Sequence, residues 1–563
     1  MQSQPSSTAF DAIVIGSGIS GGWAAKELTE LGLNVLLLDR GRQVEHLRDY
    51  PTATLQPWQY RHRGLFTREQ RQTHPVQRRA GPFTPLNAHF WVNDLESPYT
   101  ERQPFSWFRG YQLGGRSLTW GRQSYRLSPM DFEGNAREGV AVDWPIRYQD
   151  LEPWYAHVER FAGISGSRDG LAQLPDGEFL PPMAMNCVEE SFTKAVHSRF
   201  GGQRSVIIGR TANLTQRHQG RGQCLYRNQC SQGCPFGAYF STQSATLPAA
   251  QATGRLTLRT NAIVTEVVYD RDRRRAQGVR VLDAVDKTTQ DYSARLVFLC
   301  ASTLNSAWVL MNSATDVWPE GLGSSSGELG HNVMDHHARV GASGLVAGFE
   351  DKYHSGRRPN GVYIPRYRNV GNDRRDYVRG FGYQASASRI GWQRNIAEYA
   401  FGAELKEALS EPGPWVMGMI GFGETLPHHD NRVTLDRSRR DKWGLPVLAM
   451  DCRIRDNEQA MRTDMMNDAA EMLEAAGATS IRSFDEYYEF GSTIHEMGAA
   501  RMGRDPKTSV LNGFNQVWDA PNVFVTDGAC MTSSACQNPS LTYMALTARA
   551  AHYAVEELKR GNL

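Results

Sequence analysis

The sequence predicts an α/β protein that combines a Rossmann-like domain with a second, α+β lobe. Residues 12–15 form a short apolar run, a glycine-rich turn follows at once, residues 23–31 show helical periodicity, and residues 35–38 are apolar again. This strand–turn–helix–strand order is typical of a parallel sheet with crossover helices. A second apolar strand, 295–300, leads into a helical segment at 301–311. The 563 residues exceed a usual domain of roughly 100–200 residues, which leaves room for the second lobe.

The composition is that of an ordinary folded protein. Hydrophobic residues make up 40% and charged residues 22%, so the chain can bury a core and is not disordered. The 62 lysines and arginines nearly balance the 60 aspartates and glutamates, which argues against a protein that coats nucleic acid. Mean hydropathy is −0.50, and no run of about 18 apolar residues predicts a membrane span. No signal peptide is expected, so the chain by itself is expected to be cytoplasmic.

Three glycines and one aspartate in the first unit predict a dinucleotide site. Gly16, Gly18 and Gly21 fit the pattern G-x-G-x-x-G between a strand and a helix. In this pattern the first glycine makes the tight turn, the second lets a pyrophosphate approach the backbone, and the third lets the helix pack on the strand. The helix N-terminus then faces the phosphates, and Asp39 is placed to accept a hydrogen bond from a ribose hydroxyl. The alternative is a glycine-rich turn without a ligand.

Other elements are predicted with differing clarity. Residues 42–108 give no firm elements, and a second glycine pair at 114–115 indicates another close approach of the backbone to a ligand. Apolar runs predict strands at 256–258, 262–268 and 522–527. Helical periodicity predicts a helix that opens within 143–155 and two further helices at 457–476 and 541–559.

The cysteines are the most unusual feature of the chain. Cys224, Cys230 and Cys234 fall within eleven residues, in the spacing C-x5-C-x3-C, and Pro235 follows. Thiolates on one loop before a proline indicate iron–sulfur ligation. A zinc site and a disulfide with a free thiol are the alternatives, although only the second gap fits the usual zinc spacing. We interpret four others as packed thiols, namely Cys300, Cys452, Cys530 and Cys536.

Five blocks together resemble the glucose–methanol–choline (GMC) family of FAD-dependent oxidoreductases. They are VIGSGISGG (14–22) with Asp39, LGGRSLTWG (113–121), GELGHNVMDH (327–336), HEMGAARMG (495–503) and VTDGACMTSSACQNPSLTYMALTARAA (525–551). In that family the first and last blocks bind one FAD. The resemblance therefore implies a discontinuous FAD-binding domain, an iron–sulfur or insert region at 185–240 and a substrate-binding lobe at 340–490. The FAD-binding domain comprises residues 1–60, 100–145, 240–340 and 490–563.

The resemblance also implies functions for particular residues. His495 and Asn538 match the histidine and asparagine that face the flavin in the sugar-oxidising branch, where the histidine takes the alcohol proton. A histidine with a pKa near 6.5 suits that task near neutral pH. Family members with covalent flavin have a histidine where this chain has Thr119, so non-covalent FAD is expected. The residues expected to bind FAD are Gly16, Gly18, Ser20, Gly21, Asp39, Arg40, Gly114, Gly115, Ser117, Thr119, Val264, Asp527, Gly528, Pro539, Leu541 and Thr542.

The cysteine triplet resembles the one that holds a 3Fe–4S cluster in bacterial FAD-dependent sugar dehydrogenases. Cys187 is a candidate fourth ligand, which keeps a 4Fe–4S cluster as an alternative. The implied reaction is hydride transfer from a secondary ring hydroxyl of a pyranose or glycoside to FAD, and electrons then leave through the cluster. Oxidation at C3 is favoured because the C-terminal block is similar to glucoside 3-dehydrogenases. The alternatives are a glucose C1, gluconate or fructose dehydrogenase, an oxygen-using GMC oxidase with structural cysteines, and a flavin-binding protein without turnover.

The same resemblance implies partners and a compartment. The dehydrogenases it points to act in the periplasm, where they are exported folded with a small subunit that carries a twin-arginine signal. They pass electrons to a c-type cytochrome. We therefore expect a small companion subunit, a cytochrome acceptor and co-export to the periplasm, with a cytoplasmic location as the alternative.

Overall fold

The computed structural model describes residues 10–353, 356, 358–391, 401–410 and 412–563. The first nine residues, in which no signal peptide is expected, and residues 392–400 of the predicted 340–490 lobe lie outside the described residues. The helices are α1 Ile19–Glu30, α2 Arg68–Thr73, α3 Pro129–Glu138, α4 Tyr148–Ala162, α5 Cys187–Phe200, α6 Thr246–Ala252, α7 Thr303–Asn312, α8 Gly402–Ser410, α9 Asp456–Ala475 and α10 Ser540–Arg560. The strands are β1 Phe10–Ile15, β2 Val35–Leu38, β3 Thr100–Glu101, β4 Ile207–Ile208, β5 Leu256–Arg259, β6 Ala262–Asp270, β7 Arg275–Asp283, β8 Thr289–Leu299, β9 His336–His337, β10 Val340–Val346, β11 Val362–Ile364, β12 Phe381–Arg389, β13 Trp415–Glu424, β14 Arg432–Arg440, β15 Pro446–Asp451, β16 Thr479–Asp485, β17 Gln516–Val517 and β18 Ala520–Val525.

The first sheet has eight strands and a parallel centre. Its central strands lie in the order β18, β8, β1, β2, β5, each parallel to its neighbours. Strand β17 pairs antiparallel with β18, and the β6–β7 hairpin joins through β8. Helix α1 connects β1 to β2 and contacts α6 and α10. This is the Rossmann-like α/β arrangement, and the predicted fold class is confirmed.

The second sheet has seven strands and is antiparallel throughout. Its order is β16, β10, β13, β12, β11, β4, and β9 pairs with β13. Helix α9, which the periodicity predicts at 457–476, packs on this sheet through the fully buried Met461, Met465 and Met472. The sheet and helix form the second lobe that the sequence predicts. The exact domain boundaries stay predictions. Strands β14, β15 and β3 form a small third sheet.

Helix α1 begins at Ile19, earlier than the periodicity predicts. Gly21 and Gly22 carry no side chain that could show periodicity, yet both are buried in the first turns of the helix. A Cβ on Gly21 would lie 1.7 Å from the carbonyl oxygen of Gly16, so only glycine lets the helix lie directly on the turn. Among the helices that the structure describes, none combines the length and apolar character needed to cross a membrane.

Replacement of Met465 by alanine is expected to destabilise the second lobe. The Met465 side chain is fully buried and lies over Gly421 of β13, where an added Cβ would be 2.5 Å from its Cε atom. Truncation therefore leaves a cavity, which typically costs about 2–5 kcal/mol of the free energy of unfolding. Thermal and denaturant unfolding of Met465→Ala measure this loss. Asn467→Ala, at an exposed position of the same helix, is the control, and an equal loss in both variants would contradict the packing described here.

Candidate active site

A cavity of about 540 Å³ lies at the carboxyl edge of the first sheet. Four of its wall residues directly follow or lie just beyond parallel strands: Gly16 after β1, Asp39 after β2, Cys300 after β8 and Asp527 beyond β18. Parallel strands place their carboxyl ends at one edge, and α/β sheets bind ligands there. The cavity is therefore the candidate active site.

The glycine turn forms one wall of the cavity. Gly16 has φ +90°, and a Cβ there would lie 2.6 Å from the carbonyl oxygen of Cys300, so this position requires glycine. A Cβ on Gly18 would have no neighbouring atom within 4 Å, because the residue faces the cavity. Helix α1 starts immediately afterwards, and its first N–H groups have no partner within the helix. The wall thus offers backbone donors to an anionic group.

Asp39 holds this turn in place from the end of β2. Its Oδ2 accepts hydrogen bonds from the hydroxyl and the backbone N–H of Ser17, the latter at 3.1 Å, and its Oδ1 accepts from the backbone of Gly41 at 2.8 Å. The Ser17 hydroxyl oxygen in turn accepts from the backbone of Gly114 at 2.7 Å. Burial raises the pKa of Asp39, and these hydrogen bonds oppose that rise. Its predicted contact with a ribose hydroxyl stays a prediction.

The structure brings most of the predicted site residues to the cavity wall. Six predicted residues are outside it. Cys224 and Cys234 lie on the loop described below, and four pack behind the wall: Gly21 against Gly16, Gly114 against the Gln243 side chain, Leu541 in the core, and Thr542 with its hydroxyl 2.8 Å from that of Tyr155. Those in the wall are Gly16, Gly18, Ser20, Asp39, Arg40, Gly115, Ser117, Thr119, Val264, Asp527, Gly528, Pro539, His495, Asn538 and Cys230.

His495 and Asn538 are in direct contact at this wall. The Nδ2 atom of Asn538 lies 3.2 Å from Nε2 of His495. Its Oδ1 accepts a hydrogen bond of 2.8 Å from the amide of Gln384 on β12. Gln123 donates at 3.2 Å to Oε1 of Gln384. The second sheet thereby fixes the orientation of the Asn538 amide.

The other ring nitrogen of His495 contacts His336. The two Nδ1 atoms are 2.9 Å apart, and the rings meet edge to face with centroids 4.9 Å apart. Asp335 binds the segment from the other side, because its Oδ1 accepts from the His495 backbone at 3.1 Å and its Oδ2 from Tyr488 at 2.8 Å. Thr493 also donates its hydroxyl to Asp335. His495 therefore has partners at its backbone and at both ring nitrogens.

Burial determines the charge of these groups. It lowers the pKa of His495 well below 6.5, and His336 and Arg116 lower it further. Burial also lowers the pKa of His336 to about 4. Both imidazoles are therefore neutral near pH 7.

Sequence reasoning missed His336, Gln123 and Gln384. His336 ends the block GELGHNVMDH, and the run Asp335-His336-His337 is a signal that could have identified it. The two glutamines carry no such signal, because only the fold brings Gln384 to Asn538 and Gln123 to Gln384.

The three clustered cysteines lie on a half-buried loop beside the cavity. Cys230 lines the cavity wall, and Cys224 is tied by its backbone N–H to the carbonyl oxygen of Leu214 at 2.8 Å. Burial raises the pKa of Cys224, the thiols of Cys230 and Cys234 add to this, and Arg122 opposes it. In the described part of the chain, all eight cysteines are free, and these three do not form a group close enough to share one metal ion.

The comparisons with known proteins agree with this architecture. A family model described as GMC oxidoreductase matches residues 10–338, and a second with the same description matches 427–547. The fructose dehydrogenase large subunit of Gluconobacter japonicus is 26% identical over 98% of each chain. The 2-methyl-1,2-propanediol dehydrogenase of Mycolicibacterium austroafricanum is 27% identical over 96% of this chain and 94% of that protein.

A solved structure shares the fold. Pyridoxine 4-oxidase from Mesorbium loti superposes with a TM-score of 0.56 at 15% identity, over 96% of this chain and 98% of that chain. The predicted family and enzyme class, an FAD-dependent oxidoreductase acting on CH–OH groups, are confirmed. The first family model alone matches more than half of the residues, and the chain belongs to the GMC oxidoreductase family, whose members bind FAD.

Proposed function

We propose that the protein is an FAD-dependent dehydrogenase that oxidises a secondary ring hydroxyl of a pyranose or glycoside, with C3 favoured. The contact between His495 and Asn538 in the cavity wall carries the proposal. A base and a hydrogen-bonding amide beside a dinucleotide cradle are what alcohol oxidation by a flavin requires. The resemblance of 525–551 to glucoside 3-dehydrogenases supports C3, and the similarity to a fructose dehydrogenase subunit supports a sugar. The diol dehydrogenase among the relatives makes a small diol the alternative substrate.

The residues at the cavity fit FAD. Gly18 leaves the backbone open to a pyrophosphate at the start of α1, and Asp39 lies where a ribose would be held. Thr119 stands in the wall and cannot form a histidyl bond to the flavin, which supports non-covalent binding. When bound, FAD supplies the acceptor for the hydride that leaves the substrate carbon.

The hydrogen-bond network supports His495 Nε2 as the proton acceptor. Gln384 donates to Oδ1 of Asn538, so the Nδ2 group of Asn538 faces His495 as a donor. Nε2 of His495 must then carry the lone pair, and the ring proton resides on Nδ1. That N–H donates to Nδ1 of His336. Nε2 is therefore unprotonated, and a substrate hydroxyl that displaces the N–H of Asn538 from this lone pair can release its proton to it.

The remaining wall suits a sugar. Trp120 and Phe422 line the cavity and offer apolar surfaces to the carbon face of a pyranose ring. Gln123, Gln384 and Arg122 also line it and offer amide and guanidinium groups to the ring hydroxyls. Apolar faces and polar edges in one cavity are the chemistry that recognises a carbohydrate.

The cysteine loop supports an electron exit. Cys224, Cys230 and Cys234 would hold a 3Fe–4S cluster, which supplies one-electron transfer when bound. A cluster distributes its thiolates over several iron atoms, so they need not lie close enough to share a single ion. Cys187 begins α5 and packs against the core of the second lobe, which favours three ligands over four. An oxidase that uses oxygen needs no such loop.

Exposed apolar side chains around this loop support a partner subunit. Leu225, Tyr226 and Phe236 are exposed on the loop itself. Trp58 is 81% exposed on a neighbouring segment, which is tied to the loop by a 3.0 Å hydrogen bond from Gln229 to the Tyr60 hydroxyl. Apolar patches of this kind mark protein interfaces. We therefore propose a small companion subunit with a twin-arginine signal, a c-type cytochrome acceptor and a periplasmic location.

The base assignment is tested with His495→Ala. The variant should reduce its flavin at least about 100-fold more slowly, because general-base catalysis is lost, while its FAD content is unchanged. Rapid-mixing absorbance with methyl α-glucoside measures the rate, and His197→Ala, at an exposed position on α5, is the control. Turnover near the wild-type rate would contradict the assignment.

NMR of the wild-type product tests the ring position separately, and a keto group on another carbon would refute oxidation at C3 but not the assignment of the base.

The role of His336 is tested with two variants. An asparagine in its place would put an acceptor oxygen where the imidazole has Nδ1, whereas leucine offers none, so His336→Asn should keep most of the activity. His336→Leu should slow flavin reduction about 10-fold or more, because the ring proton of His495 is no longer held on Nδ1. The same rapid-mixing assay and FAD content measure both. Equal rates in the two variants would show that His336 only fills space.

The electron route is tested with Cys230→Ser. Flavin reduction by sugar should be preserved, and reduction of a c-type cytochrome should be lost together with bound iron. Cys187→Ser is the matched control and should keep both iron and cytochrome reduction, unless the cluster has four ligands. Full cytochrome reduction by Cys230→Ser would refute the relay.

A further inference from the structure

Three side chains from three different helices meet away from the residues that line the cavity. Glu27 lies on α1, His157 on α4 and His552 on α10. Nε2 of His157 is 2.8 Å from Oε1 of Glu27, and Nε2 of His552 is 3.0 Å from Oε2. Glu27 is buried, whereas the two histidine side chains are 35% and 33% exposed. The group is therefore held in the fold and also open to solvent.

Both carboxylate oxygens of Glu27 face this group, Oε1 towards His157 and Oε2 towards His552. Burial alone would raise the pKa of Glu27, but hydrogen bonds from His157 and His552 and the charge of Lys26 together hold it far below its usual range. Lys26 Nζ lies 3.0 Å from Oε1, but it also lies 2.8 Å from Glu30 and over the ring of Phe161. The Lys26 ammonium thus contacts Glu30 and Phe161 as well as Oε1 of Glu27, whereas Oε2 of Glu27 contacts His552.

We propose that Glu27, His157 and His552 form a binding site for a divalent first-row transition metal ion, with Zn²⁺ as the expected occupant. Two imidazole nitrogens and a carboxylate oxygen are a donor set that zinc accepts, with water at the open position. Tetrahedral ligand atoms with bonds of about 2.0–2.2 Å lie roughly 3.4 Å apart. One ligand atom from each of the three residues lies within 4.8 Å of the other two, so the three can converge on one ion. The Trp154 ring packs against His552 at a tilt, with ring centroids 4.9 Å apart, and orients that imidazole.

Metal binding requires a change of tautomer. Without metal, each Nε2–H donates to Glu27; with metal, each Nε2 gives its lone pair to the ion, and its proton moves to Nδ1 through solvent. No electron is transferred and no covalent bond to carbon changes. Each imidazole must therefore be neutral to bind the ion.

The site would tie together helices that reach the active site. Helix α1 begins at the glycine turn, and α10 begins two residues after Asn538. An ion that binds only the folded protein raises its stability by mass action. Zinc should therefore stabilise the enzyme without taking part in its chemistry, and this inference does not depend on the proposed function.

Titration calorimetry and thermal unfolding of the FAD-loaded full chain with ZnCl2, after treatment with EDTA, test the site. One zinc should bind, and the unfolding temperature should rise by about 2 °C at 100-fold excess over the dissociation constant. His157→Gln and His552→Gln should each lose the binding and the shift, because a glutamine amide can still donate to Glu27 but replaces the imidazole nitrogen with a carbonyl oxygen, which is a poor ligand for zinc. His197→Gln and Cys230→Ser are controls that should retain both. Unfolding in EDTA gives each variant its own baseline.

Two results would overturn the proposal. One is the absence of zinc-dependent heat and of any shift in the wild-type protein. The other is binding that Cys230→Ser abolishes and the glutamine variants retain, which would assign the zinc to the cysteine loop.

Discussion

The carboxylate of Asp39 joins three separate parts of the chain at the carboxyl edge of the first sheet. It ends β2, binds the turn after β1 through Ser17, and reaches the second glycine segment because Ser17 also accepts from Gly114. Hydrogen bonds to a buried charged group are stronger than those between neutral groups, and a buried polar group left without partners is costly. The cavity keeps its shape because none of these three parts can move without breaking a bond to this carboxylate or to Ser17.

The second sheet completes a site that the first sheet begins. His495 and Asn538 approach the cavity from segments next to the first sheet, but their orientation depends on residues of the second. Gln384 of β12 sets the amide of Asn538, and Nδ1 of His336 on β9 lies 2.9 Å from Nδ1 of His495. The second lobe therefore orients His495 and Asn538, and displacement of β9 or β12 would disturb these two side chains before it altered the glycine turn.

Sequence patterns predicted those features that depend on residues close together in the chain. The roles of Gly16 and Gly21 follow from spacing, because turn and helix packing are set by neighbours in the chain, and the structure shows the close contacts that require glycine. His495 and Asn538 are 43 residues apart, and only a family resemblance paired them. Gln384 could not be found from sequence, since one glutamine in a strand looks like any other until the sheets meet. The start of α1 at Ile19 was missed because Gly21 and Gly22 have no side chains that could show hydrophobic periodicity.

Burial is the main reason that His495 is neutral, and His336 and the charge of Arg116 lower its pKa further. A carboxylate against the ring would raise the pKa and retain the proton. Asp335 is close enough to do so, but it binds the backbone N–H of His495 and the hydroxyl of Tyr488, not the imidazole. The ring contacts the neutral His336 instead, and burial disfavours the imidazolium. A neutral imidazole is the form that the proposed role of His495 as proton acceptor requires.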